Sequence, residues 1–587
     1  MSRSTPRGLR AGRVPPSASR TAFNWRRVLV QLGLACLPPL ALADAPPVNV
    51  PDAGSLLRQL QPAQGLTLSS DDTLATSVAP ARAAAPRTDD GVRFEVRRIR
   101  LLGLSGARIA ALQPLLERRL GANRSLQDLE EAAQDIEAAL QRDGLFLAQV
   151  CVPAQAVDHG DVVLQVYEGR LGEVTLTTGA GVEVDRDRIE DVLAPLRGHP
   201  RIERGLIEAA LLTLGDLRGI KVTTALTPGA EPGTADLAVN VESTPGRAFE
   251  AEFDNAGSVF TGRARLYGNA DWFNLAHRGD DVSLRTQVSE RSQYMRLSWL
   301  LPVGPYGDRW GVQASVLDYR LGTPLLKPLD ADGDAWTLGW MLLHPLMRSR
   351  NANAFLQVSV ETRRFDDHVH AVQLDAKKGV AEYGSFGLTG DFRDALGGGG
   401  ITNYSVQLVL GELHLQTPSE QALDALTYHS NGNYAKAVAN IARLQSVTAT
   451  DSVYLAAQLQ LASKNLDSSE KFNVGGLYGL RGYPSPESPS DEALVTSWEW
   501  RHPFVTPRLP GEFVFSVFGD YGVMRAHWQP LPTDVDNMYR LVDHGIALTR
   551  TDASGLLLRA SLAVRGNRPA QSDDGRVRLL LQASKSF

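Results

Sequence analysis

The chain has 587 residues, 43% of them hydrophobic, and a formal net charge of -6. That length is too great for one core and predicts several domains. The charge balance holds no basic surplus, so no nucleic-acid partner is expected, and no apolar run after residue 45 reaches the ~20 residues of a membrane-spanning helix. Any passage through a membrane must use strands. At the N-terminus, Arg20, Arg26 and Arg27 lead into a mostly apolar stretch, Val28 to Leu42, and Ala41-Leu42-Ala43 offers small residues for cleavage. Residues 1–43 therefore read as an export signal. Cys36 would leave with it, so Cys151 could form no intrachain disulfide; it is expected as a buried strand residue. Residues 44–91 predict a short helix over 52–61, with Leu56, Leu57 and Leu60 on one face, and then a linker rich in Ala, Pro, Ser, Thr and Asp.

Residues 92–172 predict an α+β unit. Phe94–Leu102 is a strand, Ala107–Leu120 and Leu126–Arg142 have helical apolar spacing, and Leu147–Pro153 and Val162–Tyr167 close the sheet. Residues 173–245 repeat the β-α-α-β-β order, which is best explained as an internal repeat. The pair resembles POTRA domains, the periplasmic modules of the Omp85 superfamily.

From 246 to 587 the periodicity becomes two. Met295, Leu297 and Trp299 alternate with Tyr294, Arg296 and Ser298; Tyr404, Val406, Leu408 and Leu410 alternate with Ser405 and Gln407. A soluble sandwich would turn the apolar face inward, whereas a lipid-facing barrel inverts it around a wet interior. The length of the tract and the aromatics near strand ends (Trp272, Phe273, Trp299, Trp310, Trp498, Trp500) favour the barrel. At about 21 residues per strand and turn, it holds about sixteen strands. The last strand ends on Phe587; Lys585, on its apolar face, can snorkel to the interface. A terminal aromatic in this setting resembles the signature by which the barrel assembly machinery sorts outer-membrane proteins.

One loop, 466–492, carries unusual chemistry. Ser468-Ser469-Glu470-Lys471-Phe472 leads through Gly475-Gly476 to Leu480-Arg481-Gly482-Tyr483. Glycines permit positive φ and close backbone approach, and an arginine can give a carboxylate two parallel hydrogen bonds. Downstream, Phe518-Gly519-Asp520 lies on a strand whose parity sends Asp520 into the lumen with Phe518, away from Phe515, Val517 and Tyr521.

These motifs, with Phe253-Asp254-Asn255-x-Gly257 through Tyr267 at the barrel entry, resemble the TpsB transporters of two-partner secretion, the ShlB/FhaC/HecB branch of the Omp85 superfamily. The resemblance covers signal, N-terminal helix, linker, two POTRA units and barrel. It implies an Arg481–Asp520 lock between loop and wall, and a helix at Leu56, Leu57 and Leu60 that plugs the pore at rest. It also implies export, without ATP, of one large, unfolded TpsA-type adhesin or haemolysin. A monomer seated in outer-membrane lipid is expected, with no cofactor. The rival functions are an Omp85 insertase and a passive porin. An enzyme is not expected, since no Gly-x-Ser-x-Gly, His-Glu-x-x-His or phosphate-binding loop occurs. His368-Val369-His370 beside Asp366 and Asp367 reads as an exposed loop rather than a metal site.

Overall fold

A computed structural model describes residues 51–60, 76–78 and most of 92–587. The expected export signal and most of the linker lie outside those residues. Helix α1 (Ala53–Leu60) falls within the predicted 52–61 span. Strand β1 (Thr76–Val78) is a correction to the plain linker: it pairs in parallel with a later strand, Thr76 opposite Thr224. A short Thr-Ser-Val run with β propensity can complete an open sheet edge, a long-range pairing that periodicity does not report.

The first α+β unit contains β2 (Phe94–Val96), β3 (Arg98–Leu102), α2 (Gly106–Glu117), β4 (Gly121–Arg124), α3 (Leu126–Arg142), β5 (Gln149–Cys151) and β6 (Asp161–Tyr167). The single strand expected over 94–102 is broken at Arg97, whose amide donates to the Gly160 carbonyl at 2.8 Å. Helix α3 begins in a capping box, with Ser125 Oγ accepting from the Asp128 amide and Asp128 from the Ser125 amide. Its stripe of Leu129, Ile136 and Leu140 packs on Ile99, Leu101 and Leu164. Cys151 is exposed, against the expectation of burial. It sits on an edge strand with Val150 and Val152 turned to the core, so alternation puts the thiol outside.

The second unit repeats the order with β7 (Arg170–Thr178), α4 (Arg186–Leu193), α5 (Arg204–Gly215), β8 (Ile220–Pro228) and β9 (Thr234–Ser243), in a sheet ordered β1-β8-β9-β7. It rests on the turns at one end of the barrel. Arg188 Nη1 donates to the Gly304 carbonyl at 2.7 Å, Asp216 meets Arg309 at 2.9 Å, and Glu208 accepts from the Arg350 amide at 2.8 Å.

The remaining strands are β10 (Arg247–Asp254), β11 (Arg265–Phe273), β12 (Asp281–Ser289), β13 (Ser292–Val303), β14 (Asp308–Arg320), β15 (Ala331–Arg348), β16 (Ala352–Val369), β17 (Leu374–Asp394), β18 (Gly400–Leu415), β19 (Gly432–Ser446), β20 (Ser452–Ala462), β21 (Glu492–Thr506), β22 (Leu509–Arg525), β23 (Met538–Thr551), β24 (Leu556–Arg565) and β25 (Val577–Ser586). They form one closed antiparallel barrel of sixteen strands. Its faces are inverted as a lipid-facing wall requires: Leu297 and Leu410 are 50% and 58% exposed, while Ser405, Gln407 and Glu361 are buried toward the lumen. Trp310 and Trp340 meet edge to face at 6.5 Å on the outer surface. Lys585 turns back to the Ser554 carbonyl, so its charge leaves the apolar face. His368-Val369-His370 is not a loop: the outer end of β16 carries His368 and Val369, and His370 opens a short 3₁₀ turn. No metal-holding group of side chains occurs among the described residues.

Candidate functional site

The chain between β20 and β21 folds back into the barrel instead of projecting outward. Phe472 pairs with Ser490 across the loop, and Gly475 bridges to Leu480. Val474, Leu480 and Tyr483 are fully buried and pack against Ala493, Val495, Met524, Tyr539 and Leu541, so the wall offers this loop an apolar seat. Gly476 has φ +107°, and a side-chain carbon at Gly475 would lie 1.9 Å from the Pro484 carbonyl oxygen. Gly482 is pressed to the wall: a side-chain carbon there would stand 2.7 Å from Asp543 Cβ, and its amide donates to Asp543 Oδ2 at 2.9 Å.

This seating delivers Arg481 to β22. Its Nε and Nη2 donate to the two carboxylate oxygens of Asp520, each at 2.9 Å, in a bidentate fork, and its amide reaches the same carboxylate at 3.2 Å. The guanidinium carbon stands 3.5 Å from the centroid of the Phe518 ring, a close cation–π contact. Tyr483 fixes the far side, donating to Asn567 Oδ1 and the Arg568 carbonyl at 3.2 Å, while Arg578 donates to the Tyr483 carbonyl. Burial works against the Arg481 charge. The hydrogen bonds and charges of Asp520 and Glu499 outweigh it and raise its pKa above the ordinary arginine value.

Glu499 is the partner that sequence reading missed. Its alternation with Trp498 and Trp500 points it into the lumen, but nothing in the sequence marks it as a second acid for Arg481. Here it accepts from Arg481 Nη1 at 2.6 Å and bridges to Arg501 and Arg559, each at 3.0 Å. Strand adjacency could have suggested it, since Glu499 on β21 lies opposite Phe518 on β22.

A second buried ionic cluster holds the base of the loop. Glu470 meets Arg363 Nη1 at 3.0 Å and Lys436 at 2.6 Å, and Arg363 also meets Glu361 at 2.6 Å and the Tyr383 hydroxyl at 2.6 Å. Helix α1 is fastened to the same region. Asp52 and Asp467 share Lys377 at 2.8 and 2.6 Å, Asp52 accepts from the Ser468 hydroxyl, and the Ala53 amide donates to Asp367 at 2.8 Å. Leu56 and Leu57 are buried among Leu317, Tyr319 and Phe365 of the wall, whereas Leu60 is only half-buried beside them. The helix therefore occupies the lumen, and Gln59 accepts from Ser485 of the loop at 3.0 Å.

These anchors imply an acid response. Burial would raise the Glu470 pKa, but Lys436 and Arg363 hold it at about 2; Asp52, likewise buried, is held at about 2 by Lys377. A carboxylate depressed below its ordinary value of about 4 stabilises its anchor above that pH and loses the contribution as pH falls toward 2. Channel activity in planar bilayers should rise between about pH 4.5 and about pH 2.5, the interval in which these two carboxylates take up protons. Glu470→Gln combined with Asp52→Asn should flatten that profile. A wild-type record unchanged at pH 2.5 would contradict this account of the loop base.

A family model described as haemolysin secretion/activation protein ShlB/FhaC/HecB matches residues 233–535, just over half of the chain. The chain belongs to this family. A ShlB-type POTRA domain model matches residues 94–169. The heme/hemopexin transporter protein HuxB of Haemophilus influenzae is 25% identical over 87% of this chain and 91% of its own. The outer membrane transporter CdiB of Dickeya dadantii is 20% identical over 69% of this chain and 72% of its own. Among solved structures, CdiB from Escherichia coli has the same fold at a TM-score of 0.65 and 17% identity, covering 88% of this chain and 94% of that one. This ShlB/FhaC/HecB member is thus an outer-membrane translocator of two-partner secretion, with its POTRA region in the periplasm. The matched relatives are named as transporters, not as enzymes.

Proposed function

We propose that this translocator exports one large TpsA-type partner, a β-helical adhesin or haemolysin, which enters unfolded from the periplasm and leaves along the lumen. The observation that carries this reading is the occupancy of the lumen. A polar-walled closed barrel is filled by a helix and a loop that are held by ion pairs and a fork, contacts that can be broken and remade. A passive porin has no use for such fastenings, and the family match favours the translocator over the insertase. Residues 44–91 serve as plug and linker, 92–172 and 173–245 as two POTRA units, and 246–587 as the pore.

Arg481, Gly482 and Tyr483 act with Phe518 and Asp520 as the lock of the resting loop. Export draws on the partner folding at the cell surface, where a gain of about 5–15 kcal/mol per domain makes backward movement unfavourable. The outer face lies in lipid, and Phe587, whose amide pairs with the Phe249 carbonyl at 2.9 Å, is presented to the barrel assembly machinery. One chain closes the wall, so a monomer suffices. Co-expression with a large β-repeat protein, should one be encoded beside it, should place that protein in the medium. Retention of the partner in the periplasm, with the barrel correctly inserted, would overturn the proposal.

A further inference from the structure

The barrel closes where β10 meets β25, and this seam has the shortest pairing in the wall. Five residue pairs, Glu250 with Ser586 through Asp254 with Gln582, compare with eighteen between β16 and β17. At Asp254 the backbone leaves the wall. That carboxylate is buried, accepts from Arg265 Nε and Nη2 at 2.9 Å and from the Ala256 amide at 2.8 Å, and so turns the chain toward the lumen, where Ala256 and Phe260 are buried.

Asn255, between the two, stays at the seam. Its Nδ2 donates to the Leu579 carbonyl at 2.9 Å, its Oδ1 accepts from the Leu581 amide at 2.8 Å, and its own amide donates to the Leu581 carbonyl at 3.3 Å. A primary amide holds N–H donors and a C=O acceptor in one plane, and one of each can pair here as a peptide group does. The side chain therefore stands in for the strand residue that β10 lacks and carries the pairing further along β25. Backbone groups of β25 left open here would face hydrocarbon, where no water can satisfy them. Aspartate would lose the donor, leucine would lose both groups, and glutamine would place them one methylene too far out.

We propose that Asn255 is a clasp that seals the β10–β25 seam, so that a passing chain leaves along the barrel axis and not sideways into lipid. The clasp stands on geometry alone; the direction of exit rests on the translocator reading above.

The test uses the full-length protein in lipid vesicles, with Cys36 and Cys151 replaced by serine. Asn255→Leu should lower the temperature at which the folded gel band is lost by roughly 5 °C. Thr389→Val, which removes a side-chain bond to the Tyr404 carbonyl within a long pairing, serves as the control. A disulfide between Glu252→Cys and Ser584→Cys, opposite one another across the seam, should restore the Asn255→Leu variant. Equal shifts for Asn255→Leu and Thr389→Val, or no rescue by the disulfide, would overturn the clasp. In cells carrying the partner, the cross-linked wild-type barrel should export at the normal level, and loss of export on cross-linking would overturn the axial exit. If the uncross-linked wild type exported nothing, the translocator reading would fail while the vesicle result still judged the clasp.

Discussion

Arg481→Ala abolishes export while the barrel still folds and inserts: that is the expected result, read as partner absent from the medium and a folded barrel band present in the outer membrane. The alanine leaves two buried carboxylates, Asp520 and Glu499, without the cation that joins them. Removing one member of a buried ion pair costs about 3–5 kcal/mol, enough to shift the loop from its seat by a factor of hundreds or more. The barrel survives because its closure depends on strand pairing and not on the loop. Asp520→Ala should fail in the same way. Arg481→Lys should rescue poorly, since an ammonium cannot reproduce the fork to both Asp520 oxygens while still reaching Glu499 and lying over Phe518. Normal export by both alanine variants would refute the lock.

The second large effect concerns the plug. Deleting residues 46–62 should raise single-channel conductance several-fold, because it removes helix α1 from the lumen together with Leu56 and Leu57 and the Asp52 contact to Lys377. Each of those leucines contributes about 1.5–3 kcal/mol of burial at rest. Removing the charge at the shared anchor is the subtler version. Lys377→Met leaves Asp52 and Asp467 adjacent and unneutralised, so the helix should be released even with its sequence intact. Conductance equal to wild type in the deletion would show that α1 does not block the pore.

Much of this arrangement was legible in the sequence, for physical reasons that differ by element. Strand parity is a strict period of two, so Asp520, Glu499 and Phe518 could be assigned to the lumen from neighbours alone. Helix α3 announced itself through its apolar spacing and ran from Leu126 to Arg142 as expected. The Arg481 fork was anticipated from a family resemblance, not from spacing. What the sequence could not convey is which strands become neighbours around a closed wall. Glu470, Arg363 and Lys436 come from three distant segments, and each alone reads as a solvated charge. Strand β1 was missed because its three residues gain their pairing only from the edge of β8. Cys151 was misplaced because an edge strand buries one face only.

The loop is fastened at two sectors of the cylinder, through Glu470 to β16 and β19 and through Arg481 to β21 and β22. It therefore spans the cross-section as a chord. While both ends hold, the distance between those sectors is fixed, and the outline of the barrel with it. Freeing either end would do more than clear an obstruction: it would remove that brace and leave strand pairing alone to set the bore.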